Sequence, residues 1–245
     1  MPAFFRPFQA ALSFLTRLVP PPPQVNEALL AASVRWYPVA GLVVGLLSVL
    51  PVWALRESAH WLLLGWLYVF ASLWITRGLH WDGVADVADA WGSGKHGKEF
   101  HDILKDSRIG AFGVMALVMG LVGQMLLAGI NAVNGALLPL ILAPVAGRIA
   151  VVLLAGASRP HPDSVLGCLT VKGATTRLTC ACALALPLLF WVTSGFFPAL
   201  RLTIACLLLL SWLRYVAMRE GGVNGDFMGT SIMAVELSAL GACLW

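Results

Sequence analysis

The sequence predicts an all-α, polytopic integral membrane protein: one helical domain over residues 1–245, with about seven transmembrane helices and an N-terminal interfacial segment at residues 1–23. Three observations carry this reading. Hydrophobic residues make up 59% of the 245-residue chain and charged residues only 11%, where soluble domains carry about a quarter. Mean hydropathy is +0.84. Apolar runs of about 20 residues, the length that crosses a bilayer, recur from end to end.

Taken in order, residues 1–23 (MPAFFRPFQAALSFLTRLVPPPP) hold an apolar stretch between Arg6 and Arg17 that is short for a span and lacks a small-residue cleavage site. It reads as an amphipathic interfacial helix ended by Pro20–Pro23, not as a signal peptide. Apolar runs then predict spans near 36–55, 59–79, 110–132, 136–157, 178–197, 200–218 and 228–245. Arg201, Arg214 and Glu236 intrude on the last two. The connections 80–109, 158–177 and 219–227 are long or charged and carry eight lysines and arginines from Lys95 to Arg219, whereas 56–58, 133–135 and 198–199 are short. The positive-inside rule makes the long set cytoplasmic. Trp36, Tyr37, Trp61, Trp81, Trp212, Tyr215 and Trp245 fall near span ends, where interfacial aromatics belong. No internal repeat and no pair of broken helices of the inverted-repeat transporter kind stands out. Net charge is +4 with no basic block, so no nucleic-acid partner is expected. The five cysteines form no C-x-x-C pair, and neither a zinc site nor a disulfide framework is expected.

Four features carry chemistry. His80–Asp89 reads HWDGVADVAD, placing Asp82, Asp86 and Asp89 at i, i+4, i+7 within an arc of about 60° on one helix face. Such a face repels itself unless a cation sits on it, and a hard divalent ion such as Mg²⁺ takes carboxylates together with substrate phosphates. Gly83 permits close approach of a ligand or another helix. Lys105-Asp106-Ser107-Arg108-Ile109-Gly110 precedes the third span; Ser107 is placed to cap that helix, with Lys105 and Arg108 making its end a phosphate seat. Glu220–Gly229 (EGGVNGDFMG) is a glycine-rich loop whose Gly222 and Gly225 allow backbone N–H groups to converge on a diphosphate, with Asp226 as a fourth metal ligand. Arg148 lies inside the fourth span and Glu236 inside the seventh; either they neutralise each other or Arg148 reaches substrate phosphate. His80 is placed either as an interfacial residue or beside the metal.

These three motifs, in this order, resemble the cobalamin 5′-phosphate synthase family, also called adenosylcobinamide-GDP ribazoletransferases. The start FQAALSFLTRLVPPPP resembles the family's beginning as well. The resemblance implies a Mg²⁺-dependent enzyme of the bacterial inner membrane whose active site faces the cytoplasm. It would join adenosylcobinamide-GDP to α-ribazole 5′-phosphate or α-ribazole and release GMP. The family's acidic motif falls on His80, Asp82, Gly83, Asp86 and Asp89; its basic motif on Lys105, Asp106, Ser107, Arg108 and Gly110; its glycine loop on Gly222, Gly225 and Asp226. Arg77-Gly78 departs from the usual glycine pair. On this reading Asp82, Asp86 and Asp226 hold Mg²⁺, Asp89 is the candidate base for the ribazole 3′-hydroxyl, and Lys105 and Arg108 stabilise departing GMP. Asp86 is the other candidate base, and Asp89 the other candidate ligand. Oligomeric state is left open, a homo-oligomer included.

Two rivals share parts of the pattern. A CDP-alcohol phosphotransferase also uses an aspartate-rich membrane helix, but its motif places Arg where Asp86 stands and adds a later G-x-x-x-D pair that is missing here. A cation transporter calls for carboxylates near mid-membrane, and Asp82–Asp89 lie at a span edge.

Overall fold

A computed structural model describes residues 5–244, so the first four residues of the interfacial segment and Trp245 lie outside the described residues. In chain order the helices are α1 (Arg6–Leu15), α2 (Glu27–Ser33), α3 (Tyr37–Leu55), α4 (Trp61–Thr76), α5 (Leu79–Gly92), α6 (Lys98–Leu104), α7 (Ala111–Val133), α8 (Leu137–Gly156), α9 (Val165–Gly173), α10 (Thr176–Ser194), α11 (Phe196–Arg219) and α12 (Gly225–Ala242). The all-α expectation holds.

Helix α8 is the axis of the bundle, buried along nearly its whole length, with α3 and α12 packed directly on it. Small residues make this closeness possible: Gly41 and Gly45 of α3, four residues apart, lie against the α8 backbone at Pro144 and Ile141. Pro144 has no N–H to give Leu140, and an unsatisfied carbonyl is costly in an apolar setting. The Tyr68 hydroxyl of α4 donates to that carbonyl at 2.8 Å.

Among the described residues, five helical segments are long and apolar enough to cross a membrane alone: Glu27–Leu55, Ala111–Val133, Leu137–Gly156, Thr176–Ser194 and Phe196–Arg219. The expected span 59–79 stops at Thr76, because Arg77 and Gly78 both adopt left-handed backbone (φ 60° and 68°) and turn α5 by 93° from α4. The pair counts as a sixth crossing only if taken as one bent span. Helix α12, expected as the seventh, falls short in apolarity. It carries Asp226 and Glu236, and α5, α8 and α11 enclose it.

Left-handed backbone costs a non-glycine residue roughly 1–2 kcal/mol. Here the Arg77 guanidinium donates to Phe14 O at 3.1 Å, tying the α4–α5 corner to the end of α1. Helix α1 turns Ala10, Ala11, Leu12 and Leu15 into the protein and packs on α2 and α3. Trp81, expected at the interface, is instead buried against Gly120 of α7.

Candidate active site

Helices α5 and α12 meet backbone to backbone at two glycines. A Cβ on Gly83 would stand 2.9 Å from Asp226 O and 3.0 Å from Asp226 Cα, and one on Gly229 would stand 3.2 Å from His80 O. The Thr230 hydroxyl of α12 links the two helices, 2.8 Å from Asp226 O of its own helix and 3.0 Å from Gly83 O of α5. This crossing sets Asp226 beside Asp82 and Asp86, which sequence separation alone does not show. Asn224 then fixes Asp226: its Oδ1 accepts from the amides of Asp226 and Phe227, both at 3.1 Å, and its Nδ2 donates to Asp226 Oδ2 at 2.9 Å.

The carboxylates feel one another at this end of the bundle, outside the apolar spans. Partial burial, then the charges of Asp226, Asp82 and Asp89, push the Asp86 carboxyl up to about 7. Burial and then Asp82 raise Asp226 to about 6, although the Asn224 hydrogen bond pulls it partly down. Among the described residues no three His, Cys, Asp or Glu side chains form a ready-made cage for a metal ion. A hard cation held by two carboxylates with water and phosphate needs no such cage, and an under-neutralised acid group of this kind fits one.

Two cavities meet here. The larger, about 940 Å³, has Asp82 and Asp86 on one side and Lys105, Asp106, Ser107 and Arg108 on the other. The smaller, about 160 Å³, shares Asp82 with it and adds His80, Gly225 and Asp226. The acidic and basic motifs thus line one space, with Asp226 reached through the Asp82 wall. Within the basic motif, Arg108 is forked onto Asp106, Nε to Oδ1 at 3.0 Å and Nη2 to Oδ2 at 2.8 Å. That bond holds the Asp106 carboxyl down at about 2.

Four expected roles are corrected by the geometry. Asp89 points at α7: its Oδ2 accepts from Gly110 N at 2.7 Å and its Oδ1 from Gly113 N at 2.8 Å. Asp89 is therefore the cap of α7 that Ser107 was expected to be, and the amides expected to seat a phosphate are already occupied. Both carboxylate oxygens are engaged, which removes Asp89 as the free base. Arg148 is buried and paired with Glu236, and its Nη2 lies 3.0 Å from His80 Nε2, so the two intramembrane charges neutralise each other and Arg148 lines neither cavity. Accepting from a guanidinium, His80 is neutral at Nε2. Gly222 (φ 139°) gives its N–H to Ala217 O at 2.7 Å, and its backbone rests on Pro160, leaving nothing for a diphosphate.

Sequence reasoning missed the fastening that brings the long connections together. Glu220 accepts from Gly97 N at 2.8 Å and sits 2.9 Å from His96 Nδ1, while its carbonyl lies 2.6 Å from His101 Nε2. The His101 ring lies tilted against His161, centroids 4.1 Å apart, and Val223 bridges to Pro160. A signal existed: Glu220 is the first acid after Asp163, at the close of a long acid-free stretch.

Comparison with known proteins agrees with the motifs. Residues 7–244 match the family described as cobalamin-5-phosphate synthase. A protein of Nitratidesulfovibrio vulgaris (strain DP4) named adenosylcobinamide-GDP ribazoletransferase is 45% identical over 98% of this chain and 98% of its own length. Proteins of the same name from Brevibacillus brevis and Novosphingobium aromaticivorans are each 34% identical, covering 95% and 96% of this chain and 95% and 94% of their own. No solved structure matches. A membrane bundle with joined acidic and basic motifs, matched along almost its whole length, belongs to the cobalamin-5-phosphate synthase family of transferases in cobalamin synthesis.

Proposed function

We propose that the protein joins adenosylcobinamide-GDP to α-ribazole 5′-phosphate, or α-ribazole, with Mg²⁺ bound at Asp82 and Asp226, releasing GMP on the cytoplasmic side of the bacterial inner membrane. The observation that supports this best is the cavity of about 940 Å³ lined jointly by the acidic helix and the Lys105–Arg108 loop. Its size suits a nucleoside diphosphate group, and carboxylates and cationic side chains both line it.

Bound there, Mg²⁺ would offset the charge of the diphosphate oxygens. Lys105 and Ser107 receive the nucleotide phosphate, while Arg108, forked onto Asp106, holds the loop in shape. The ribazole 3′-hydroxyl oxygen bonds to the phosphorus that carries the corrinoid, the bond to the GMP oxygen breaks, and GMP departs. Asp86, facing the cavity, accepts the hydroxyl proton in place of Asp89. Asp89 acts one step removed, fastening the start of α7 and with it the loop bearing Lys105. Lipid surrounds the outward faces of the spans.

Purified protein in proteoliposomes, given both substrates and Mg²⁺, should release GMP and form adenosylcobalamin 5′-phosphate. Thin-layer separation of nucleotides reads this directly. Release of CMP from a CDP-alcohol, without GMP release, would replace this reading by phospholipid-type chemistry.

A further inference from the structure

Resting on that transferase reading, we infer that the smaller cavity is the subsite for the fused-ring aromatic base of the ribazole substrate. The large cavity accordingly takes the GDP-activated corrinoid alone. The small cavity measures about 160 Å³ and is mostly apolar, walled by Phe14, Val151, Leu166, Met228 and Ile232. A dry cavity of about 150 Å³ is known to hold benzene, so a benzimidazole-type ring is of matching scale. Nothing charged on the GDP-activated substrate suits such walls.

Placement decides the occupant. Asp82 lines both cavities, and Asp226 lines the small one close to its Gly225 rim. A base seated among Val151, Leu166 and Ile232 leaves its ribose at the Asp82 boundary, where the 3′-hydroxyl meets the diphosphate arriving from the other side. The cavity walls come from α1, α3, α5, α8, α9 and α12, so shape selection of the base is built into the bundle core, with α1 and α9 its peripheral walls.

Leu166, half-buried on the short helix α9, lines the small cavity alone, whereas the other apolar wall residues that are not fully buried, Phe14 and Leu79, line both cavities. Leu166→Trp in reconstituted full-length protein should raise the KM for α-ribazole 5′-phosphate by about tenfold or more. The KM for adenosylcobinamide-GDP should stay within about twofold, the scatter of a site that has lost no contact. A rise in the corrinoid KM, an equal rise in both, or no change in either overturns the assignment. As a measurement that needs no variant, free benzimidazole should inhibit the wild-type protein competitively against α-ribazole 5′-phosphate and not against adenosylcobinamide-GDP; competition with the corrinoid, or no inhibition, overturns it equally. Failure of the wild type to release GMP would instead overturn the transferase reading itself.

Discussion

Replacing Asp86 by Asn should make the metal-free protein more stable while abolishing turnover. In the folded protein the Asp86 carboxyl titrates near 7 rather than 3.8, because burial and three neighbouring aspartates disfavour its charge. The folded state therefore holds a proton that the unfolded state has released across the interval between those values. Stability of the metal-free protein consequently falls as pH rises from about 4 to about 7 and stays low above it. A shift of that size corresponds to about 4 kcal/mol if unscreened, and the group is only partly buried, so with solvent screening about 2 kcal/mol is the working figure. Asp86→Asn removes the charge and should recover it, raising the midpoint of thermal unfolding at pH 8 by about 4–8 °C for a chain of this length. At pH 4, where Asp86 is protonated in the folded protein and the unfolded carboxyl is only about half ionised, the same variant should change the midpoint by less than about 2 °C, the equivalent of about 0.5 kcal/mol. Thermal unfolding in detergent, with chelator present, supplies the measurement. Destabilisation at pH 8, or an equal gain at both pH values, would refute the claim that the site stores carboxylate repulsion.

Asp89→Asn should keep measurable turnover, falling well short of the 10²–10⁴-fold loss typical of a missing general base, and should cost about 1 kcal/mol through one lost helix-capping bond; steady-state rates against Asp86→Asn separate the two roles. Gly83→Ala should push α5 off the Asp226 backbone and lower kcat by about 10²-fold with the protein still inserted, since small misplacements of reacting groups cost that much; membrane-fraction immunoblots alongside activity check it. Arg148→Leu should strand buried Glu236 and destabilise by about 3–5 kcal/mol, whereas Arg148→Met combined with Glu236→Leu should recover most of that loss; expression level and unfolding midpoint report both.

What the sequence made legible was local. Span positions follow from runs of apolar residues, and the acidic and basic motifs announce themselves because long flanking stretches lack charge. What it hid depends on distant backbone. Asp82, Asp86 and Asp89 share one helix face, but α7 closes over the last of them and takes it as a cap, and no local rule places the amides of Gly110 and Gly113 there. Ser107 satisfied the local capping pattern and lost to that distant carboxylate. The Arg148–Glu236 alternative was open in the sequence and closed by the packing of α8 on α12. Gly83 was legible as a point of close approach, while its partner, the backbone at Asp226, was not. The expected span at 59–79 failed at Arg77 because an arginine gives no hint of left-handed backbone.

The central claim is that aspartates from α5 and α12 form one divalent-metal centre. Titration of Mn²⁺, a spectroscopic substitute for Mg²⁺, into the full-length protein followed by electron paramagnetic resonance tests it without recourse to activity. The account predicts one class of bound ion in the wild type, displaced by Mg²⁺ and lost in both Asp82→Asn and Asp226→Asn; undiminished binding in Asp226→Asn would contradict it.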